Sequence, residues 1–302
     1  MIVRLVALIF LLFGLGSAPA LAACDLAPAG TTQSVHLPGS DRALLVHVPA
    51  GFDARRPVPL LFLFHGSGGT GAQILEKSGL TATADRHGFI LAAPDGLIPN
   101  RDGFVWNIPG VPNASGKLPG AGDASDVAFV LATIDALAKQ RCVDPARVYA
   151  TGYSGGGRMA SLLACVAADR IAAIAPDVGL RAGRPDPADA SRPDPADCHP
   201  SRPMPILSYS GDRDTVNPIA GGGPGYWLYS LEAAEVRWAA LDGCKPEPLR
   251  RQVSATVSEK VFTGCRGGVE FASRLVAGGE HVWLADNEVM WSFLSRWRRS
   301  RS

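Results

Sequence analysis

The sequence predicts an α/β fold in which a mostly parallel central sheet carries helices on both faces. Strand-like apolar runs alternate along the chain with segments of roughly 10 to 15 residues that have helical apolar spacing. Residues 57–64 are apolar throughout, as expected of a parallel strand that is buried on both faces. The length of 302 residues suits one α/β domain.

The individual elements are predicted from apolar periodicity and from the turn residues between them. Residues 33–37 and 42–48 predict two strands joined by the turn Pro38-Gly39-Ser40-Asp41. Asp126 favours a helix start at that position, because a negative charge is stabilised at a helix N-terminus. The remaining predictions are strands at 57–64, 89–94, 147–152, 171–176, 205–209 and 272–276, and helices at 126–137, 156–167 and 231–240.

The composition excludes several classes of protein. There are 29 basic and 28 acidic side chains, so the chain lacks the basic surplus of a nucleic-acid-binding protein. The 34 glycines and 24 prolines fall between the apolar runs without a fixed period, which is typical of a globular rather than a fibrous protein. We therefore expect a loop-rich globular enzyme with no nucleic-acid partner.

Residues 1–23 predict a signal peptide that is not part of the fold. Arg4 is followed by an apolar run at 5–16 and by Ala20-Leu21-Ala22, the small-x-small pattern of a signal-peptidase site. An apolar run of about 12 residues is too short to cross a bilayer as a helix, so we expect no stable membrane span. A retained membrane anchor is the alternative. Residues 24–302 are then expected to form a single exported catalytic domain, secreted or periplasmic.

The cysteines fit an exported chain. Six is an even number, which predicts three disulfides, and Cys244 with Cys265 is the first pair we expect because the two flank one short segment. Leu21-Ala22-Ala23-Cys24 also resembles a bacterial lipoprotein box, so a lipid anchor at Cys24 is an alternative that would leave five cysteines. No spacing is of the CxxC type, so we expect no metal and no cofactor. The cysteines are Cys24, Cys142, Cys165, Cys198, Cys244 and Cys265.

A surface loop is predicted at residues 181–200. This segment contains Arg-Pro-Asp-Pro-Ala-Asp twice, at 184–189 and at 192–197. A duplicated segment rich in proline and aspartate cannot build a hydrophobic core, so we expect it to be extended on the surface.

The strongest chemical signal is the motif Gly152-Tyr153-Ser154-Gly155-Gly156. It lies between a predicted strand and a predicted helix, the context in which a serine is presented at a sharp corner. A hydroxyl group is a weak nucleophile, so it must be held where a base can reach it. The corner forces an unusual backbone conformation, which requires small residues two positions before and after the serine. Ser154 is therefore the predicted nucleophile.

A second glycine-rich loop supports this prediction independently. The strand at 57–64 leads into His65-Gly66-Ser67-Gly68-Gly69, whose backbone donors can meet a developing negative charge. We assign the backbone N–H groups of Ser67 and Gly155 as the oxyanion hole. Ser67 as the nucleophile is the alternative, but no strand-to-helix corner surrounds it. His65 is predicted to be structural, because a base in this position would break the usual chain order.

The base is selected by the chain order serine, acid, histidine. Of the six histidines only His199 and His281 follow the serine. His281 is the predicted base, because it lies in a loop directly after the last predicted strand. His199 ends the duplicated segment, where a rigid base is not expected.

The acid is predicted among the carboxylates that follow strands. Asp214 is preferred, because it follows the strand at 205–209 and leads into a turn that can present an orienting carboxylate. Asp212 and Asp177 are the alternatives. In this assignment Asp214 would fix the imidazole tautomer of the base and stabilise its charged form.

These motifs resemble those of a known family. The chain is similar to secreted polyhydroxybutyrate depolymerases and to the related bacterial feruloyl and acetylxylan esterase-like α/β hydrolases. The resemblance covers nearly the whole mature chain, roughly residues 30–295. It rests on Leu63-Phe64-His65-Gly66, Val143-Asp144-Pro145-Ala146-Arg147-Val148-Tyr149 before the serine motif, Ile171-Ala172-Ala173-Ile174-Ala175-Pro176, residues 211–218, the segment between Gly243-Cys244 and Gly264-Cys265, and Gly278-Gly279-Glu280-His281-Val282-Trp283.

The resemblance implies an α/β-hydrolase fold and an exported serine ester hydrolase. Its implied substrates are hydroxyalkanoate oligomers or hydroxycinnamoyl and acetyl esters. It also implies that Trp106 and Trp283 lie near the acyl site and bind substrate, while packing of a half-buried indole is the alternative for both. The chain departs from the family where Leu284-Ala285 follows Trp283 in place of Pro-Gly, so a different substrate-facing loop is expected.

Two other functions are the alternatives. A serine peptidase on the same fold would need an acidic site for the substrate amine, and no Glu-Glu pair occurs near the pocket segments. A catalytically inert homologue that binds at the cell surface is disfavoured, because all three triad positions are filled. The segments 107–122 and 219–229 are expected to shape the pocket.

Overall fold

The computed structural model describes residues 24–36, 42–120 and 125–300, and it is organised around one ten-stranded sheet. The predicted signal peptide and the turn at 38–41 lie outside the described residues. The strands are β1 (Thr31–His36), β2 (Ala43–Val48), β3 (Val58–Phe64), β4 (Ile90–Pro94), β5 (Ile98–Asn100), β6 (Gly103–Val105), β7 (Val143–Tyr153), β8 (Ala173–Asp177), β9 (Ile206–Gly211), β10 (Leu249–Gln252), β11 (Val257–Phe262) and β12 (Phe271–Val276). The helices are α1 (Gly71–Ser78), α2 (Leu80–His87), α3 (Asp126–Lys139), α4 (Gly155–Val166), α5 (Leu231–Leu241) and α6 (Asn287–Leu294).

The sheet is parallel at its centre and antiparallel at both edges. The strand order is β1-β2-β4-β3-β7-β8-β9-β12-β11-β10. The six strands from β4 to β12 in this order run parallel. The two outer strands at each end pair antiparallel, and β5 and β6 form a separate hairpin. The predicted mostly parallel sheet is confirmed, with antiparallel edges that make the whole sheet mixed.

Helices cover both faces of the sheet, as predicted. Along β3, Leu60, Phe62 and Phe64 belong to the core shared with α3, α4 and α5. The alternate residues Leu61 and Leu63 belong to the core shared with α1, α2 and α6. Burying a large apolar side chain stabilises a fold by about 1.5–3 kcal/mol, so a strand buried on both faces must be apolar at every position.

The duplicated segment is compact rather than extended. The backbone N–H of Asp186 donates to the carbonyl of Arg192 at 3.0 Å, and that of Asp194 donates to the carbonyl of Arg184 at 2.9 Å. Side chains also link the two copies: Arg184 Nε donates to Asp194 at 2.9 Å, and Arg192 Nε donates to Asp186 at 3.1 Å. The two copies therefore brace each other with polar contacts, so the segment becomes ordered without a hydrophobic core of its own.

Three disulfides join the six cysteines, as predicted. The pairs are Cys24–Cys142, Cys165–Cys198 and Cys244–Cys265. The sulfur of Cys24 is bonded to that of Cys142, and the lipid anchor at Cys24 stays an alternative prediction. Cys198 ties the end of the duplicated segment to α4. None of the helices in the described ranges is both long enough and apolar enough to cross a bilayer.

Candidate active site

The site lies at the edge where the central strands end. β3 leads to Ser67, β7 to Ser154, β9 to Asp214 and β12 to His281. Because parallel strands end at the same edge of a sheet, residues that are far apart in the sequence come together there. The parallel sheet therefore brings these four residues to one edge, and the loops after the strands determine how their side chains are oriented.

Ser154 occupies a strained corner between β7 and α4. Its φ of 54° and ψ of −112° lie in a region that side-chain-bearing residues rarely adopt. A Cβ on Gly152 would lie 2.6 Å from backbone atoms of Gly156, and a Cβ on Gly156 would lie 2.0 Å from the carbonyl oxygen of Phe64. Both small residues are therefore required by the close approach of α4 to the ends of β7 and β3.

His281 bridges Ser154 and Asp214. Its Nε2 lies 2.8 Å from Ser154 Oγ, and its Nδ1 lies 2.7 Å from Asp214 Oδ2. With Asp214 ionised, Nδ1 carries a proton and donates it to the carboxylate, which leaves Nε2 as the acceptor for the serine hydroxyl. The structure thus brings the three residues of the predicted triad into one hydrogen-bonded chain.

The Asp214 carboxylate is held in its ionised form. The side chain is 5% exposed, and its Oδ1 accepts the backbone N–H groups of Val216 at 2.9 Å and Asn217 at 2.8 Å. Burial acts to raise the pKa of Asp214, but the hydrogen bonds from His281 and from these two N–H groups outweigh it and leave the pKa below its ordinary value. The turn that follows β9 supplies these donors.

The alternative acid and base have other partners. Asp212 Oδ1 accepts the backbone N–H of Gly278 at 2.7 Å and thereby ties the β9 loop to the loop after β12. His199 is exposed at the end of the duplicated segment. Neither contacts Ser154, so the geometry agrees with the preference for Asp214 and His281.

Asp177 and Tyr153 hold the loop that carries His281, and sequence reasoning missed this role for both. The Asp177 carboxylate accepts the backbone N–H of Leu284, with both oxygens at 3.2 Å, and burial raises its pKa well above the ordinary value. The Tyr153 hydroxyl donates to the carbonyl oxygen of His281 at 2.6 Å, and burial raises the pKa of Tyr153 to about 12. Their roles depend on where the loop closes, which no local sequence pattern shows.

His65 is structural, as the chain order suggested. Its side chain is buried, Nδ1 donates to the carbonyl of Gly66 at 2.8 Å, and Nε2 accepts the backbone N–H of Gly96 at 2.9 Å. Burial lowers the pKa of His65 to about 4, so the ring is neutral at pH 7. Its two ring nitrogens connect the loop after β3 to the loop after β4.

The assigned oxyanion donors face each other across a small gap. A Cβ on Gly155 would lie 3.0 Å from the backbone nitrogen of Ser67 and 2.6 Å from its Oγ. Within the described part of the chain neither N–H group has a hydrogen-bond acceptor. The donor of Gly155 is at the start of α4 and that of Ser67 is in the loop after β3. Together they can stabilise an oxygen that gains negative charge, and the N-terminus of a helix itself favours anions.

The two tryptophans differ in position. Trp106 lines a small chamber that Ser67 and Gly155 also line, while its Nε1 donates to the carbonyl of His65 at 2.8 Å. Trp283 packs against the core formed with α1, α2 and α6, and its Nε1 donates to Asn287 Oδ1 at 3.1 Å. The position of Trp283 agrees with the packing alternative, and a substrate contact for either indole stays a prediction.

Metal-ligating side chains are not gathered in this region. Across residues 24–36, 42–120 and 125–300 no three His, Cys, Asp or Glu side chains are grouped so that they could hold a metal ion. All six cysteines are in disulfides, and His281 and Asp214 hydrogen-bond each other.

Comparison with known proteins places the chain among esterases. The family described as esterase PHB depolymerase matches residues 43–191. Feruloyl esterase B of Piromyces equi is 30% identical over 261 residues, which cover 84% of this chain and 45% of that protein. The putative esterase NocK of Nocardia uniformis subsp. tsuyamanensis is 32% identical over 239 residues, which cover 79% of this chain and 60% of that protein. The chain thus spans about half the length of these two relatives.

A solved structure supports the same fold. The acetyl xylan esterase from Aspergillus awamori superposes with a TM-score of 0.61 over 88% of this chain and 99% of that protein, at 14% sequence identity. At this identity the match shows the fold alone, an α/β hydrolase with a central sheet and flanking helices. The probable feruloyl esterase C of Aspergillus oryzae is 30% identical over 241 residues, which cover 77% of this chain and 74% of that protein. The chain therefore belongs to the same family as this relative, with an α/β-hydrolase fold.

Proposed function

We propose that this protein is a serine carboxylic-ester hydrolase that forms an acyl-enzyme on Ser154. The observation that carries the proposal is the bridging position of His281, 2.8 Å from Ser154 Oγ and 2.7 Å from Asp214 Oδ2. A serine hydroxyl becomes a nucleophile when a base accepts its proton and a third group orients that base.

Acylation begins when Ser154 Oγ attacks the ester carbonyl carbon and His281 Nε2 takes the hydroxyl proton. The carbonyl π electrons move onto the carbonyl oxygen, so a tetrahedral intermediate with an oxyanion forms. The intermediate collapses, the bond to the alcohol oxygen breaks, and His281 gives its proton to the leaving alkoxide. Asp214 stabilises the imidazolium that exists between the two proton transfers.

The oxyanion is stabilised by the backbone N–H groups of Ser67 and Gly155. Neither donor has a hydrogen-bond acceptor among the described residues, so both can bind the substrate oxygen without breaking a hydrogen bond there. One such donor lowers the barrier by about 3 kcal/mol when it is aimed at the developing charge. Deacylation reverses the sequence: His281 deprotonates a water molecule, the water attacks the acyl carbon, and Ser154 Oγ leaves with the proton.

The proposed substrate class is taken from the relatives. The curated relatives include feruloyl esterases and a poly(3-hydroxyalkanoate) depolymerase, so we propose an ester of an oligomeric hydroxyalkanoate or of a hydroxycinnamoyl or acetyl group. We also propose that the enzyme acts outside the cytoplasm, which three disulfides and the predicted leader support.

The proposal is tested with purified protein and neutral esters. We expect release of p-nitrophenol from p-nitrophenyl butyrate, and covalent labelling by a fluorophosphonate. The Ser154→Ala variant should lose at least about a thousandfold in kcat and all labelling, because it removes the hydroxyl that lies 2.8 Å from His281 Nε2.

A matched control is the Ser208→Ala variant. Ser208 is a buried serine in β9 whose hydroxyl has no hydrogen-bond partner within residues 24–36, 42–120 and 125–300. It should keep its labelling and its turnover within severalfold of the wild type. Labelling that survives Ser154→Ala, or a wild-type protein that neither turns over esters nor reacts with the probe, would contradict the proposed function.

A further inference from the structure

Two buried arginines lie beside the proposed oxyanion hole without a carboxylate partner. Arg158 on α4 is 5% exposed, and Arg181 in the segment after β8 is 6% exposed. The ion pairs among the described residues involve neither guanidinium, and Nε of both residues together with Nη2 of Arg181 has no hydrogen-bond acceptor there. A buried cation is normally paired, so these two need an explanation.

The partners that the two arginines do have are neutral. Arg158 Nη2 donates to Ser67 Oγ at 3.0 Å, and its guanidinium lies 4.0 Å from the centre of the Tyr226 ring. Arg181 Nη1 donates to the carbonyl of Tyr229 at 2.6 Å, and its guanidinium stacks on Trp227 at 3.2 Å. Aromatic faces and carbonyl oxygens reduce the cost of burial but leave the positive charges uncompensated. Burial accordingly lowers the pKa of both guanidinium groups to about 10, and both stay charged at pH 7.

Both guanidinium groups line a cavity next to the proposed oxyanion hole. A chamber of about 110 Å³ is lined by Arg158 and Arg181 together with apolar and aromatic side chains. It shares Ile108, Val111 and Arg158 with a narrow chamber that Ser67 and Gly155 line. Since a water molecule occupies about 30 Å³ in the liquid, the larger chamber has room for a carboxylate and the few carbons that carry it.

The other charged groups at this cavity are already engaged. Arg184 is paired with Asp194 at 2.8 Å. Asp197 accepts the backbone N–H of Arg184 at 2.8 Å and that of Cys198 at 3.0 Å. Asp197 keeps its negative charge in these hydrogen bonds, and the charge of Arg184 is balanced by Asp194. The two positive charges of Arg158 and Arg181 outnumber the one negative charge of Asp197, so the lining of the chamber is net positive.

We propose that this chamber binds a carboxylate carried by the ester substrate, with Arg158 and Arg181 as its receptor. The inference rests on the proposed esterase function and names the substrate class within it. A carboxylate can accept the N–H groups of Arg158 and Arg181 that have no acceptor among the residues the structure describes, and it supplies a negative charge beside them.

The position of Arg158 limits where that carboxylate can be. Arg158 Nη2 lies 3.4 Å from the place that a Cβ on Gly155 would occupy, so the receptor is only a side chain's length from the oxyanion donors. The carboxylate must therefore lie within a few bonds of the scissile carbonyl, on the acyl or on the alcohol part. A free oligomer of a hydroxyalkanoic acid has one at its end, on the alcohol part, whereas a neutral acetyl or hydroxycinnamoyl ester has none.

Two pairs of substrates distinguish the sources of the carboxylate. For the alcohol part, the linear dimer of 3-hydroxybutyrate is compared with its primary amide. For the acyl part, the p-nitrophenyl monoester of adipic acid is compared with the corresponding monoamide. We expect kcat/KM to favour the acid over the amide by about tenfold or more in at least one pair, because charge-assisted hydrogen bonds discriminate by about that factor.

The variants Arg158→Gln and Arg181→Gln test which groups cause the preference. Because Arg158 also touches Ser67, the quantity to compare is the ratio of acid to amide within each variant, from which any effect on the oxyanion hole cancels. We expect the ratio to fall below about twofold in at least one variant. The control is Arg202→Gln, another partly buried arginine, whose donors are taken by the carbonyls of Ala168 and Pro203 at 2.8 Å. It should keep the wild-type ratio.

A binding measurement decides the proposal even without turnover. Sodium 3-hydroxybutyrate should raise the thermal unfolding midpoint of the wild type more than 3-hydroxybutyramide does, and this difference should vanish in Arg158→Gln. Failure to hydrolyse p-nitrophenyl butyrate would count against the esterase function. The comparison of the two unfolding midpoints tests only whether the two arginines bind a carboxylate. Equal treatment of acid and amide in both substrate pairs and in binding, or a preference that persists in both variants, would overturn the inference.

Discussion

The Asp214→Asn variant tests whether this carboxylate orients the catalytic base. The backbone N–H groups of Val216 and Asn217 would continue to bind the side-chain oxygen at the Oδ1 position, at 2.9 and 2.8 Å. The amide nitrogen would then occupy the position of Oδ2 and face His281 Nδ1 across 2.7 Å. Two donors cannot face each other at this distance, so the imidazole must present a bare Nδ1 to the amide.

The tautomer change places the ring proton on Nε2, 2.8 Å from Ser154 Oγ. In that state His281 cannot accept the serine proton. We expect kcat for p-nitrophenyl butyrate to fall by about ten-thousandfold near pH 7, while the unfolding midpoint changes little because every backbone contact of the side chain is kept. The measurement is a pH–rate profile beside thermal unfolding of the same preparation.

Two other aspartate variants are controls that show whether the loss of kcat is specific to Asp214. Asp212→Asn keeps an acceptor for the Gly278 N–H, so its kcat should stay near that of the wild type. Asp177 is buried with a raised pKa, and an amide resembles its protonated form, so Asp177→Asn should lose no more than about tenfold. The reasoning would be refuted if Asp214→Asn retained more than about a tenth of the wild-type kcat, or if either control lost as much as Asp214→Asn.

Three further variants test the corner, the base loop and a buried acid. Gly156→Ala places a methyl group 2.0 Å from a backbone oxygen, so urea unfolding should show a loss of at least about 3 kcal/mol, whereas Gly51→Ala, with nothing within 4 Å, should change stability by less than about 0.5 kcal/mol. Tyr153→Phe removes the hydrogen bond to the carbonyl of His281 and keeps the ring, so stability should fall by about 1 kcal/mol and steady-state kinetics should show a lower kcat with KM unchanged. Burial raises the pKa of Asp242 from 3.8 to about 7, so its folded form holds the proton more tightly and wild-type stability should decrease as pH rises from about 4 to 7. The Asp242→Asn variant should lack that decrease, which urea unfolding at pH 4.5 and pH 7.5 measures, with a difference of up to about 3 kcal/mol.

The central strands could be predicted because burial on both faces requires an apolar residue at almost every position. β3, β4 and β8 are buried along almost their whole length, so the sequence there is an unbroken apolar run. The edge strand β10 is exposed at all four residues and contains two arginines, so nothing in its sequence distinguishes it from a loop. The helices α1 and α2 have eight residues each, about two turns, which is too short for a periodic pattern to emerge.

The triad could be predicted because its chemistry fixes both local sequence and chain order. The glycines around Ser154 are imposed by contacts of 2.0 to 2.6 Å, and these are visible in the sequence as a motif. His281 and Asp214 were the residues that followed suitable strands, and the parallel sheet brings the ends of those strands together. The supports of the His281 loop could not be predicted, because the contact of Asp177 with Leu284 joins residues 107 positions apart in a way that only the folded loop defines.

The two buried arginines show why a functional charge can be invisible in a sequence. An arginine in a helix is ordinarily expected to point to solvent, where its charge costs little, so the sequence gives no sign that Arg158 is buried on α4. In the fold the segment from Ile108 to Val111 and the side chain of Tyr226 cover it, and no carboxylate was brought in with them. A buried unpaired cation destabilises a protein, and an apolar side chain of similar volume at such a site is often neutral or stabilising. A purely structural role for Arg158 would therefore be served better by methionine or leucine. The charge is accounted for when its counterion arrives with the substrate, and this places the selectivity of the site in the chamber beside the triad rather than in the triad itself.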